Sequence, residues 1–189
     1  MVDFLYNIDV SIFYFLNHTI SNPLFDNFFP FITNPKNWYL VYIIFWLILI
    51  FKGGRIGRIS AILIILVLAL SDQISSHLLK NLFERVRPCN ALPDVYLLVG
   101  CTKSYSMPSS HAVNNFAAAI FFSKLFPKYK LPLITIAVLV ALSRPIVGVH
   151  YFSDIVIGAL IGTIIGYLMA LLALKVNEWI KLRSDYKKE

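Results

Sequence analysis

An all-α integral membrane bundle, about five transmembrane helices preceded by an amphipathic interfacial helix, is the fold this sequence predicts. Three observations predict it. Apolar residues make up 58% of the 189 residues and charged residues only 14%, against roughly 45–50% and 25% in soluble chains. The apolar residues fall in long runs, and the basic residues cluster in the short gaps between them. So much apolar surface exceeds what one globular core of this length can hide, and lipid is the simpler solvent. The formal net charge of +7 then reads as membrane topology rather than as the footprint of a nucleic-acid partner.

Residues 1–36 are mixed in character. Phe4, Ile8, Ile12 and Phe15 recur at helical spacing, while Asp3, Asn7, Ser11 and His18 fall mostly elsewhere. That pattern suits a helix lying in the interface. It lacks the basic start and sustained apolar stretch of a secretory signal. Pro23 and Pro30 bracket a second short apolar piece, 24–29. Five segments then read as spans: about 38–51, 59–79, 112–126, 131–147 and 155–176. The first, third and fourth are short against the roughly 20 residues a span needs. Trp38, Tyr39 and Trp179 fit interfacial anchors.

Topology follows from charge. Lys52, Arg55 and Arg58 lie in one gap, and Lys124, Lys128 and Lys130 in another. Lys175, Lys181, Arg183, Lys187 and Lys188 follow the last span. Five crossings put these clusters on one side, which the positive-inside rule makes cytoplasmic. The amino terminus is then outside and the carboxyl terminus inside. The gaps 80–110 and 144–154 face outward together, toward the periplasm if the membrane is a bacterial inner membrane. The chain reads as one membrane domain over 1–189, with interfacial helices in 1–36, a bundle in 37–178 and a basic tail in 179–189. Gly158, Gly162 and Gly166 form a small-residue stripe on the last span. It could mark a dimer interface, but packing within the bundle is the favoured reading, and a monomer is compatible with it. Cys89 and Cys101 share the outer, oxidising gap, which predicts a disulfide between them.

Both outward gaps carry groups suited to phosphate. Lys80 is followed by Arg87-Pro88, and a helix continuing through 81–86 would set both cations on one face. The gap closes on Pro108-Ser109-Ser110-His111 before an apolar helix. A helix amino terminus is an anion site, and a serine there can cap it and donate to phosphate. The second gap holds Ser143, Arg144, His150 and Asp154. Arg144 offers a planar fork for phosphate oxygens. His150 and Asp154, four apart, can pair so that one ring nitrogen is fixed and the other is left as a nucleophile.

These residues resemble the signature motifs of the type-2 phosphatidic acid phosphatases, the lipid branch of the superfamily shared with bacterial acid phosphatases and vanadium haloperoxidases. Lys80, Arg87 and Pro88 match its first motif, and Ser143, Arg144, His150 and Asp154 match its third. Pro108-Ser109-Ser110-His111 matches the second, with Ser110 where glycine is usual. The resemblance implies a lipid phosphatase in which His150 attacks phosphorus and Asp154 stabilises its positive charge. His111 would serve the leaving group and then water. Lys80, Arg87, Arg144, Ser109 and Ser110 would bind the phosphate, with no metal or cofactor implied. The substrates it allows are undecaprenyl diphosphate, phosphatidylglycerophosphate, phosphatidic acid and the 1-phosphate of lipid A. A lipid phosphotransferase using the same histidine, or an anion-binding transporter, are the alternatives. Outside the motifs, His18, His77, Arg85 and Lys103 read as anchors or solvated surface. Glu84 reads as an exposed partner for Lys80 or Arg87, and Asp72 and Gln73 as polar groups near the site.

Overall fold

Prolines at the starts of helices and glycines between apolar runs divide this chain into helical segments. The computed structural model describes residues 2–186; Lys187 and Lys188 of the expected basic tail lie outside the described residues. In order come α1 (Val2–Tyr14), a π-helical turn (Phe15–Thr19), α2 (Pro23–Thr33), a 3-10 turn (Pro35–Trp38) and α3 (Tyr39–Phe51). Then follow α4 (Gly54–Asp72), a π-helical segment (Gln73–Leu79), α5 (Lys80–Phe83) and α6 (Pro88–Ala91). A long connection leads to α7 (Ser110–Leu125), α8 (Lys130–Ile146) and α9 (Phe152–Tyr186). No strand occurs among the described residues.

Three helical runs are long and apolar enough to cross a membrane: Gly54–Ala91, Pro127–Ile146 and Phe152–Ser184. Pro23–Thr33 and Pro35–Phe51, bent by 71° at their junction, form a fourth if taken as one span. The expected membrane bundle is therefore present, with three to four candidate spans. The expected third span is α7, only 16 residues long, or about 24 Å. It packs against α4, α8 and α9 and buries Ala112, Val113, Ala117 and Phe121 completely. Protein rather than lipid surrounds much of α7, so it can carry Asn114, Asn115 and Ser123 without a continuous apolar run.

The amino-terminal segment adds a packing face to α1 and corrects one helix boundary. The face of α1 turned to the protein is Asp9, Phe13 and, one π-turn on, Asn17, while Phe4, Ile8 and Phe15 are exposed. A helix with lipid on one side and protein on the other can keep its apolar stripe outward. Pro30 lies inside α2 instead of ending it. The break comes at Asn34, whose extended backbone precedes Pro35 and whose side chain accepts from the Lys36 N–H at 3.1 Å.

The glycine stripe is the seam between α9 and α7 within one chain. A Cβ on Gly158 would lie 2.9 Å from the Ser109 carbonyl, and one on Gly162 would run into the Val113 carbonyl. Gly166 abuts the Ala117 carbonyl in the same way. Around this seam Val67 of α4, Ala117 and Phe121 of α7, and Ala170 and Ala173 of α9 form the main core. The seam fixes where α9 begins relative to the start of α7. Lys80, Ser109, Arg144 and Asp154 all fall at one end of their helices, and Arg58, Lys124 and Lys130 toward the other.

Gly162→Leu is expected to force the two backbones apart and to destabilise the protein by about 1–3 kcal/mol. Leu160→Ala, on the exposed face of the same turn, should change stability by less than about 0.5 kcal/mol. Thermal unfolding of both variants in one detergent checks this, and equal losses would remove the seam from the account.

Candidate active site

The polypeptide does not reach Arg87 by the expected helix through 81–86. Glu84 takes a left-handed conformation (φ 45°) and ends α5. Arg87 is extended (φ −67°, ψ 149°) because Pro88 disfavours helical backbone before it. The two cations therefore do not share a helical face; the turn carries Arg87 inward by itself. Its guanidinium is buried and fully engaged. Nε donates to the Ser104 carbonyl at 2.8 Å and Nη2 to the Ser104 hydroxyl at 3.0 Å. Nη1 donates to the Val149 carbonyl at 3.0 Å and lies 3.0 Å from His150 Nε2.

His150 is held in the turn between α8 and α9. Gly148 there has φ 89°, and a Cβ on it would lie 2.9 Å from the Tyr96 carbonyl, so the position suits glycine alone. Asn17, fully buried, bonds the carbonyls of Ile146 and Tyr96 and so clamps this turn to the long connection. Asp154 opens α9, is fully buried, and accepts from the Tyr151 N–H at 2.9 Å. Its Oδ2 is 3.3 Å from His150 Nδ1. An arginine can only donate, so Arg87 finds a lone pair on Nε2, and the ring proton sits on Nδ1 facing Asp154. This is the tautomer a nucleophilic Nε2 requires. Burial first, then the charges of Arg87, Arg144 and Lys80, holds the imidazole well below its usual range. His150 is thus neutral.

The other expected residues lie in the same region. Ser109 is the residue before α7, but its hydroxyl does not cap the helix. It is buried without a hydrogen-bond partner among the described residues, as is Arg144 Nε. Buried polar atoms are normally satisfied, and these two lie beside the amino terminus of a 16-residue helix, where an anion is favoured. Arg144 is steadied by Nη1 donating to Thr33 Oγ1 at 2.8 Å. The backbone of Thr33 also meets His111, in the first turn of α7. Lys80 is buried and interacts electrostatically with Arg87, Arg144 and Asp154. The Ser110 hydroxyl pairs with Ser76 at 3.0 Å, and Ser76 in turn donates to Asp72 at 3.1 Å. The structure thus places His150, Asp154, His111, Lys80, Arg87, Arg144, Ser109 and Ser110 in one region. Cys89 and Cys101 form a disulfide, which ties α6 to the segment presenting Ser104.

Residues outside the motifs complete the region. Arg85, expected on solvated surface, has a side chain only 19% exposed and pairs with both Asp154 and Asp9. Thr33, Asn17, Ser104, Ser153 and Asp9 also went unread. Asp9 and Asn17 carried one available signal, polar residues four positions either side of Phe13 on one face of the amino-terminal helical segment. Glu84, His77 and Lys103 are exposed, and His18 stacks near Tyr14. Among the described residues no group of three His, Cys, Asp or Glu side chains could hold a metal ion.

The chain is similar to several known membrane proteins. The pattern defining the PAP2 superfamily matches residues 60–178. A lipid A 4′-phosphatase of Bacteroides thetaiotaomicron is 31% identical over 98% of this chain and 84% of its own length. The crystal structure of a transmembrane PAP2-type phosphatidylglycerolphosphate phosphatase from Bacillus subtilis superposes with a TM-score of 0.73. It is 24% identical and covers 91% of this chain and 87% of that one, a likeness of fold. LpxE of Aquifex aeolicus gives a TM-score of 0.64 at 26% identity, covering 89% and 95% of the two chains.

Because His150 is held neutral, its imidazole should remain unprotonated as pH falls past the ordinary histidine value near 6.5. Nitrogen-15 spectra of histidine-labelled protein, with the resonance assigned from His150→Ala, measure this directly. A midpoint at or above 6.5 would contradict the electrostatic account.

Proposed function

The chain belongs to the PAP2 superfamily, and on that premise we propose that it is a lipid phosphatase working through a phosphohistidine at His150. The observation that carries the reading is the pairing of a neutral, Nδ1-protonated His150 with three cations, beside the unpartnered Ser109 hydroxyl and Arg144 Nε. A phosphate entering there gives Ser109 and Arg144 acceptors, and Arg87 can transfer Nη1 from the imidazole to a phosphate oxygen. His150 Nε2 then bonds to phosphorus as the bond from phosphorus to the lipid oxygen breaks. His111, which takes up a proton once the bound phosphate offsets the cations around it, supplies the proton that the leaving oxygen takes. Water attacks the phosphohistidine next, giving its proton to His111, and the nitrogen–phosphorus bond breaks to release inorganic phosphate. Asp154 stabilises the positive ring during the covalent stage. Lys80, Arg87 and Arg144 offset the charge on the equatorial oxygens, and we assign that work to them without a metal ion.

The topology proposed with this chemistry has α7 as a fifth crossing helix. The basic gaps at Lys52–Arg58, Lys124–Lys130 and beyond Lys175 then lie on the cytoplasmic side, and the site faces the exterior. For the substrate we favour a phosphate monoester on a glycolipid or phospholipid. The lipid A 4′-phosphatase matched along nearly the whole chain makes the 4′-phosphate of lipid A the first to try.

Purified protein with excess chelator should release phosphate from lipid A, phosphatidylglycerophosphate or phosphatidic acid faster than from undecaprenyl diphosphate. His150→Ala should lower turnover by at least about 10³-fold, and a radiolabelled substrate phosphate should be trapped on the wild-type chain alone. Hydrolysis surviving in the alanine variant would remove His150 as nucleophile. Abolition by chelator would remove the metal-free assignment. Label passing to a second lipid instead of to water would favour the phosphotransferase.

A further inference from the structure

Arg85 lies outside the three motifs, yet its guanidinium joins two carboxylates from distant parts of the chain. Nη1 donates to Asp154 Oδ1 at 2.8 Å and to Ser153 Oγ at 2.6 Å. Nη2 donates to Asp9 Oδ2 at 2.6 Å. The plane of the fork stacks 3.8 Å from the centre of the Tyr151 ring. Asp9 in turn accepts from the Ser153 N–H at 2.9 Å and from the Ser153 hydroxyl. One face of α1 is thereby fastened to the first turn of α9. Ion pairs of this kind recover the cost of desolvating their charges only when the geometry is good, so stability alone explains the row poorly. The geometry does have a use at His150. With Oδ1 held by Arg85, the Asp154 carboxylate cannot rotate, and Oδ2 stays directed at the imidazole Nδ1.

We propose that Arg85 and Asp9 are positioning residues for the nucleophile: Arg85 locks the carboxylate of Asp154 against His150, and Asp9 on α1 anchors Arg85 and offsets its charge. The inference rests on the phosphohistidine reading for its catalytic meaning, while the positioning itself concerns the resting protein. A lysine could not serve equally, because its single ammonium lacks the two separate nitrogens of the fork and the flat face that meets Tyr151. The charge balance is as specific as the geometry. The charged and titratable groups around His150 are Asp154 from α9, Arg144 from α8, His111 from α7, Lys80 from α5 and Arg87 before α6. Removing Arg85 takes away the positive charge that offsets Asp154, which raises the proton affinity of the paired His150 and Asp154. Removing Asp9 as well restores the original net charge of the row and should bring that affinity back.

The test uses the full chain in detergent and two readouts. In Arg85→Gln the nitrogen-15 titration of His150 should move up by about one pH unit or more, and the double variant Asp9→Asn/Arg85→Gln should recover at least half of that shift. In phosphate release from lipid A, Arg85→Gln should lower kcat by about tenfold or more with KM nearly unchanged. Arg85→Lys should fall between it and wild type. A purely structural contact predicts that the second substitution adds to the damage instead of reversing it. An unmoved His150 in Arg85→Gln, or a double variant shifted further up, would overturn the proposal. Should Arg85→Gln fail to fold, Asp9→Asn alone decides: a severalfold fall in kcat at constant KM supports the anchor, and an unchanged kcat rejects it. A wild-type chain that released no phosphate while Arg85→Gln moved His150 would reject the hydrolase reading and leave the positioning role in place.

Discussion

Asp154 is a carboxylate with no exposed surface, and a charge so placed must be paired and hydrogen-bonded or it will not be tolerated. The chain meets that demand with groups from separate segments. The Tyr151 N–H and the His150 ring share one oxygen, and Arg85 takes the other. The backbone carbonyl of Asp154 accepts the Ser109 N–H at 3.1 Å, which places the start of α7 against the start of α9. Satisfying this one residue therefore brings the second and third motifs together with the turn that leads from Arg85 to Arg87. The glycine seam along α9 works in the same direction, because it lets α7 and α9 approach closely enough for that backbone bond to form.

The bilayer as solvent accounts for features that would be faults in water. Apolar side chains on α1, α3 and α4 are widely exposed, while the buried side of α1 is where Asp9 and Asn17 lie. In lipid the hydrophobic drive to bury leucine is absent, so a helix is oriented by its polar partners. Asp9 and Asn17 turn α1 inward as firmly as an apolar stripe would in a soluble protein. The same logic explains α7, whose asparagines and serines are carried inside protein. Ser71 of α4, for example, pairs with Asn114 at 2.7 Å.

Much of this was legible in the sequence. Hydropathy gave the helical membrane class, and motif spacing brought out the eight residues, His150 among them, that the structure gathers in one region. What escaped has a common physical origin. Arg85 meets partners 69 and 76 positions away, and Thr33 meets Arg144 at a separation of 111; no local period encodes such pairs. The turn at Glu84 escaped because a residue with φ above zero carries little signal when it is not glycine. Pro23 and Pro30, by contrast, did mark the amino-terminal region as broken, but not which proline ends a helix. Pro30 is absorbed within α2 and Pro35 begins the next turn.

The charges of the region can be weighed against the chemistry proposed for it. Lys80, Arg87 and Arg144 bring three positive charges to the surroundings of His150, which adds none while it is neutral. Behind the ring, two carboxylates and one guanidinium leave a single negative charge in the row of Asp9, Arg85 and Asp154. The balance is two positive charges, against a phosphate monoester that carries about −1.5 to −2 near neutrality. The negative row sits on the Nδ1 side of the imidazole and the Arg87 guanidinium on the Nε2 side. Charge that leaves the ring toward phosphorus is thus drawn by the cations, and the positive charge left on the ring is met by Asp154. An arrangement that only bound anions would gain nothing from a carboxylate behind its histidine. The polarity across that single imidazole is what favours a nucleophile over a receptor.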